Sequence, residues 1–202
     1  MTGANKKQIM ERIEEQAGVV RTALGQRSIV LVGMMGAGKS AIGRLLAKAL
    51  NLPFIDADTE IERAAGMTIP DMFEAHGEAY FRDGEVRVIS RILDGAPCVL
   101  ATGGGAWMDA DTRAHASRVG ISVWLKAEPE VLLKRVKRRS NRPMLKTKDP
   151  EATLRHLLAL RDPVYAQADV TVGSRDVPHE TMVLETLTAI AAHVTPVEQT
   201  AE

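Results

Sequence analysis

Aromatic residues are scarce in this chain: three Phe, two Tyr and two Trp among 202 residues. Base-stacking platforms need aromatic faces at successive positions, so a binder of single-stranded nucleic acid has little support. Charge excess is missing too. Lys plus Arg and Asp plus Glu number 26 each, for a formal net charge of zero. Without a basic excess, no general attraction to nucleic acid or to an anionic membrane surface is expected. The single cysteine, Cys98, has no partner for an internal disulfide. It lies in the apolar run Cys98-Val-Leu-Ala101 and reads as a small buried hydrophobe rather than a reactive thiol. No apolar run approaches the ~18 residues of a membrane span. The N-terminal stretch carries Lys6, Lys7, Glu11, Arg12, Glu14 and Glu15 instead of an apolar signal core. A cytoplasmic protein with no nucleic-acid and no membrane partner is expected.

What is present is ordinary for a globular domain: 45% hydrophobic and 26% charged residues. The length allows one well-buried domain plus an appendage. Residues 1–27 look like the appendage. Ile9, Ile13, Ala17 and Val20 recur on one helical face with charges between them, a pattern interrupted by Gly18. The expectation is an N-terminal helical extension that is loosely docked, leaving the chain a monomer, or that offers its face to a partner or a second copy as a dimer helix. Residues 195–202 are expected to form a disordered tail.

From Ser28 the pattern becomes short apolar runs alternating with helical stretches. Ser28-Ile-Val-Leu-Val32 is apolar and β-branched, as central parallel strands are. Further strands are expected near residues 53–56, 97–101, 121–125 and 169–172. Helices are expected near 40–50, 77–93, 110–118, 129–138, 150–168 and 179–193. Such alternation implies an α/β domain over 28–194, with a central parallel sheet of about five strands flanked by helices in three layers.

The segment Gly33-Met-Met-Gly36-Ala-Gly38-Lys39-Ser40 follows the first strand directly and opens a helix, the context that makes a G-x4-G-K-S string informative. Its glycines let successive N–H groups curl toward phosphate oxygens, and the helix N-terminus adds its positive end. Lys39 is placed to neutralise the β- and γ-phosphates of ATP, and the Ser40 hydroxyl to ligate Mg²⁺. No guanine-reading Asn-Lys-x-Asp string follows. That leaves small-molecule kinases, motor ATPases and non-catalytic nucleotide sensors.

The second set of polar groups must separate these. Asp56-Ala-Asp58 ends the second expected strand, where an i, i+2 spacing would put both carboxylates on one side at the carboxyl edge of the sheet. Arg82 and Glu85 lie three apart in Gly77-Glu-Ala-Tyr-Phe-Arg82-Asp-Gly-Glu85 and share a helix face. Gly103-Gly104-Gly105 follows the third strand, where backbone can approach a small ligand. Residues 134–148 hold eight Lys or Arg and no acid until Asp149, compatible with a solvated face or with a basic flap closing over phosphates. Arg161-Asp-Pro-Val-Tyr165 lies late in a long expected helix.

Taken together and in this order, residues 28–192 resemble the shikimate kinase family of P-loop kinases. The resemblance implies a mobile lid at about 138–149 and transfer of the γ-phosphoryl of ATP to the 3-hydroxyl of shikimate, with one Mg²⁺ per subunit. It implies that Gly36, Ala37, Gly38, Lys39, Ser40 and Ala41 hold the ATP phosphates, with Arg135 against adenine and Arg142 reaching the transferring phosphoryl. Asp56 would hold Mg²⁺ through water, and Asp58 would hold the reacting hydroxyl. Arg82 and Arg161 would clamp the substrate carboxylate, Glu85 orienting Arg82, and Gly104 and Gly105 would meet substrate hydroxyls. A gluconate-type or nucleoside-monophosphate kinase is the nearest rival, and an ATP-dependent binding module the rival of another class.

Overall fold

The computed structural model describes residues 3–137 and 149–195. Five parallel strands form the central sheet: β1 (Ser28–Val32), β2 (Phe54–Asp56), β3 (Val99–Ala101), β4 (Gly120–Ala127) and β5 (Val170–Ser174), in the order β2-β3-β1-β4-β5. Each expected strand is present. β2 and β3 are shorter than expected because the prolines at 53 and 97 stand outside them. Strand β1 is buried along its whole length: the apolar run Ile29–Val32 follows Ser28, whose hydroxyl accepts from the Cys98 N–H. Ile29 and Leu31 face one core, and Val30 and Val32 face the other.

Among the described residues, eight α-helices cover the two faces: α1 (Gly3–Leu24), α2 (Lys39–Leu50), α3 (Ala57–Ala65), α4 (Ile69–Leu93), α5 (Ala110–Val119), α6 (Pro129–Lys137), α7 (Pro150–Tyr165) and α8 (His179–Val194). Helix α3 and the first part of α4 extend the expected set. The start of α4 carries a capping signal: Thr68 Oγ1 accepts from the Asp71 N–H, and Pro70 stands in the first turn. Gly77 (φ 80°, ψ 176°) kinks α4, a conformation that only glycine adopts readily. Among the described residues no helix is long and apolar enough to cross a membrane.

The N-terminal helix departs from expectation. Ile13, Ala17, Val20 and Leu24 do lie on one face, but that face is buried in the same core as α2 and α8. Arg21 ties α1 to the end of α2 through a 2.7 Å bond to the Ala49 carbonyl, and pairs with Glu14. Burying each large apolar side chain contributes roughly 1.5–3 kcal/mol. Helix α1 is therefore neither a loose extension nor a helix with its stripe open to a second copy. The expected tail beyond Thr195 and the lid from 138 to 148 lie outside the described residues.

Candidate active site

The turn after β1 bends back on itself through glycines at positive φ. At Gly33 (φ 130°) a Cβ would fall 2.7 Å from the Leu125 carbonyl oxygen, so no side chain fits without displacing β4. Gly38 (φ 101°) ends the loop as the N-cap of α2. Lys39 is 9% exposed and folds over the loop, its Nζ donating to the carbonyls of Gly33 (2.6 Å) and Met34 (3.1 Å). Ser40 Oγ donates to Asp56 Oδ2 at 2.6 Å, bringing together the ends of β1 and β2 as the sequence implied.

The loop forms one wall of a cavity of about 390 Å³, lined by residues 36–42 and by Asp56, Asp58, Arg135, His179 and Met182 among others. Arg135 closes its far side. Its Nη1 reaches Ser174 Oγ (2.9 Å) and the Gly36 carbonyl (3.3 Å), and its Nη2 reaches the Arg175 carbonyl (2.7 Å).

A second, smaller cavity of about 90 Å³ adjoins the first, and both are lined by Asp58 and Gly104. Met35, Ile69, Phe73 and Phe81 supply its apolar walls, and Arg82, Glu85 and Arg161 its charges. Glu85 is 1% exposed. Its Oε2 accepts from Arg82 Nη1 at 2.6 Å, while its Oε1 is buried with no hydrogen-bond partner among the described residues. Burial pushes this carboxyl above its ordinary range, against the pull of Arg82. Arg82 is squeezed from two sides. Burial works to lower its pKa, but the charges and hydrogen bonds of Glu85 and Glu78 outweigh that and raise it, so the guanidinium stays charged. Glu78 binds the other edge of Arg82, at 3.2 Å to Nε and 3.1 Å to Nη2.

Arg161, 8% exposed near the end of α7, donates to the Gly104 carbonyl at 3.1 Å. The Tyr165 hydroxyl, one turn further on, donates to the same oxygen. Close packing explains the glycines. A Cβ on Gly103 would lie 2.5 Å from Glu85 Oε1 and 3.0 Å from Asp58 Oδ1, and one on Gly105 would fall on the Arg82 guanidinium.

Two opposed guanidiniums over an apolar floor suit a small carboxylic acid. A family-model match decides the class: the shikimate kinase model covers residues 35–191. This chain belongs to the shikimate kinase family. The chain is 60% identical to a shikimate kinase of Bradyrhizobium diazoefficiens over 87% of its length and 84% of that relative's. It is 50% identical to one of Brucella canis over 96% of each chain. The structure of an Acinetobacter baumannii shikimate kinase in complex with shikimate superposes with a TM-score of 0.81 at 40% identity, covering 86% of this chain and 97% of that one.

The structure gathers the sequence-derived residues into two adjoining cavities, with one correction and one omission. Asp56 and Asp58 do not alternate along a strand. β2 stops at Asp56, and Asp58 sits in the first turn of α3, near the positive end of that helix. Arg142 lies outside the described residues. Sequence reasoning quoted Glu78 and Tyr165 within longer segments but gave them no role, and it passed over Ile69 and Phe73. Glu78 is four residues before Arg82 and Tyr165 four after Arg161, the spacing of helical neighbours. Ile69 lies within a Thr-x-x-Asp capping pattern at residues 68–71, and Phe73 just after it.

Proposed function

We propose that the two cavities are the donor and acceptor halves of one phosphoryl-transfer site, which carries the γ-phosphoryl of ATP to the 3-hydroxyl of shikimate and yields shikimate 3-phosphate and ADP. The observation that carries this reading is the position of Asp58, which lines both cavities. A hydroxyl held by Asp58 from the acceptor side faces the phosphate loop directly. A loose transition state for phosphoryl transfer needs mainly alignment and charge neutralisation. Asp58 supplies the alignment by accepting the hydroxyl hydrogen bond.

Lys39 and the N–H groups of residues 36–41 hold the β- and γ-phosphates. Phosphate oxygens then replace the Gly33 and Met34 carbonyls as partners of Lys39. Arg135, beside the far end of the donor cavity, packs against adenine, and Arg142 neutralises the moving phosphoryl. At the other end of the acceptor, Arg82 and Arg161 bind the substrate carboxylate with charge-assisted bonds. Glu85 holds the first of them in place, and Gly104 and Gly105 offer backbone to the ring hydroxyls.

Mg²⁺ fits the donor cavity. Ser40 Oγ and Asp56 are oxygen donors within hydrogen-bonding distance of one another, a hard donor set that suits this ion. Among the described residues no group of three or more His, Cys, Asp or Glu is placed to hold a metal ion, so nucleotide oxygens and water would have to complete the shell of an ion bound here. Bound there, it would offset phosphate charge, with Ser40 as direct ligand and Asp56 acting through water. In this reading the enzyme works as a cytoplasmic monomer, since the apolar stripe of α1 is already covered.

A coupled assay for ADP release, run with shikimate, gluconate and AMP in turn, tests the proposal. Turnover with shikimate alone is expected. Turnover with gluconate or AMP but not shikimate would overturn it.

A further inference from the structure

Tyr165 is fully buried in the last turn of α7, and neither substrate-binding set described above includes it. We propose that Tyr165 is a positioning residue for the acceptor: together with Arg161 it pins the Gly104 carbonyl and so fixes how the Gly104–Gly105 peptide is presented to shikimate. This rests on the reading of the smaller cavity as the shikimate site.

Several features converge on that one peptide. The Gly104 oxygen has two lone pairs, and it receives the Arg161 Nη1 donor and the Tyr165 hydroxyl together. The peptide unit is planar and trans, so its carbonyl and the Gly105 N–H point in opposite directions. A carbonyl tied to α7 therefore directs the Gly105 N–H away from α7.

The two donors differ in what else they must do. Arg161 also has to serve the substrate carboxylate, and its long side chain adjusts when it does. Tyr165 has no such second task, and its ring is held in a stack on Trp124, centroids 5.9 Å apart. It can hold the carbonyl whether or not Arg161 is engaged.

The same stack reaches the donor half. A Cβ on Gly33, the first residue of the phosphate loop, would lie 3.2 Å from Trp124 Cδ1, and one on Gly104 would lie 3.3 Å from the Met35 nitrogen. Trp124 and Tyr165 thus form a column between the start of the phosphate loop and the shelf under the acceptor. A fixed shelf keeps the reacting hydroxyl in line with the phosphoryl, where displacements of an ångström matter.

The phenol acts as a hydrogen-bond donor and not as an acid. Burial pushes its pKa up to about 12, so it keeps its proton across the range in which kinases are assayed.

The test is Tyr165→Phe, which removes one oxygen and keeps the stacked ring. Loss of one buried hydrogen bond corresponds to roughly a five- to tenfold effect. The expected result is a KM for shikimate raised by about that factor, a KM for ATP within about twofold of wild type, and an unchanged pH–rate profile. A lower melting temperature with the shikimate KM unchanged would assign Tyr165 a structural role only and overturn the proposal. Equal loss of both substrates, or loss of a limb of the pH profile, would overturn it as well. If the Phe variant is too unstable under these conditions, the same readouts are taken at lower temperature against wild type measured alike. A wild-type enzyme that turns over ATP without any dependence on shikimate would instead refute the acceptor reading, and the Tyr165 role with it.

Discussion

Replacing Glu85 by Gln should separate activity from stability. Glu85 is the most deeply buried charged side chain in the acceptor cavity, and one of its oxygens holds Arg82 at 2.6 Å. Gln keeps the shape and can still accept from Arg82. A charge-assisted hydrogen bond is roughly twice as strong as a neutral one, so the swap loosens the guanidinium by about 1–1.5 kcal/mol. With 1.4 kcal/mol per tenfold, the KM for shikimate should rise roughly five- to tenfold. Glu85 does not line the donor cavity, so the KM for ATP should stay within about twofold.

Stability should move the other way. Burial raises the Glu85 pKa in spite of Arg82, which means that folding disfavours the charged form. Above the ordinary carboxylate range the folded state binds more protons at this site than the unfolded chain, so this group's contribution to stability falls as pH rises through that window. Gln has no such liability. Nor does the change strand Arg82, which is partly exposed and keeps its bonds to Glu78. The variant should melt at or above the wild-type temperature at pH 7. Its advantage should shrink as pH falls toward the ordinary carboxylate range, where the wild-type group is protonated as well. Shikimate titrations at saturating ATP, with melting curves from pH 5 to 8, measure both effects. A melting temperature lower by more than about 4 °C at pH 7, or an advantage that grows as pH falls, would refute the account of Glu85 as a buried charge kept for positioning.

Four further variants test other parts of the structure. Arg161→Ala should raise the KM for shikimate on the order of a hundredfold, since it removes a buried carboxylate partner, with ATP affinity within about threefold by direct titration. Arg161→Lys should recover little of that loss, because a point charge cannot bond bidentately. Asp58→Asn should lower kcat by about a hundredfold or more while nucleotide binding is retained; single-turnover measurements separate the two, and a shift in ATP affinity of similar size would argue against the role of Asp58 at the hydroxyl. Leu24→Ala should cost about 2–4 kcal/mol in urea unfolding, because Leu24 is buried in the core shared by α1, α2 and α8. A loss below about 0.5 kcal/mol would return α1 to the status of a loose appendage.

Legibility of the chain depended on whether a residue's task is visible within its own segment. The phosphate loop was legible because strand, glycine turn and helix are contiguous, and Arg82–Glu85 because the partners lie on adjacent turns. Strand β1 was legible because burial on both faces favours the continuous apolar run Ile29–Val32. The α1 stripe was read as loosely docked or open to a partner, because periodicity carries no information on what covers a face; α8, over a hundred and fifty residues away, packs in the same core. Asp58 does line both cavities, but the sequence placed it there through an incorrect local geometry. The strand reading required β2 to run two residues longer than it does, whereas the turn into α3 reaches the same edge and adds a helix N-terminus to hold the carboxylate.

Tyr165 shows the limit most clearly. Its partner is a backbone carbonyl 61 residues earlier, and any residue type offers a carbonyl, so no pattern of side chains could have marked it. What the sequence does show is a tyrosine one turn from an arginine, in a chain with only two tyrosines. Once the fold brings α7 under the 103–105 turn, both side chains end on the Gly104 carbonyl. The three glycines are therefore needed for more than ligand access. Gly103 makes room for Glu85 and Asp58, Gly105 for Arg82, and Gly104 lies against the backbone of Met35. A Cβ at Gly103 or Gly105 would displace the Glu85 or Arg82 side chain, and with it the ion pair that lines the smaller cavity.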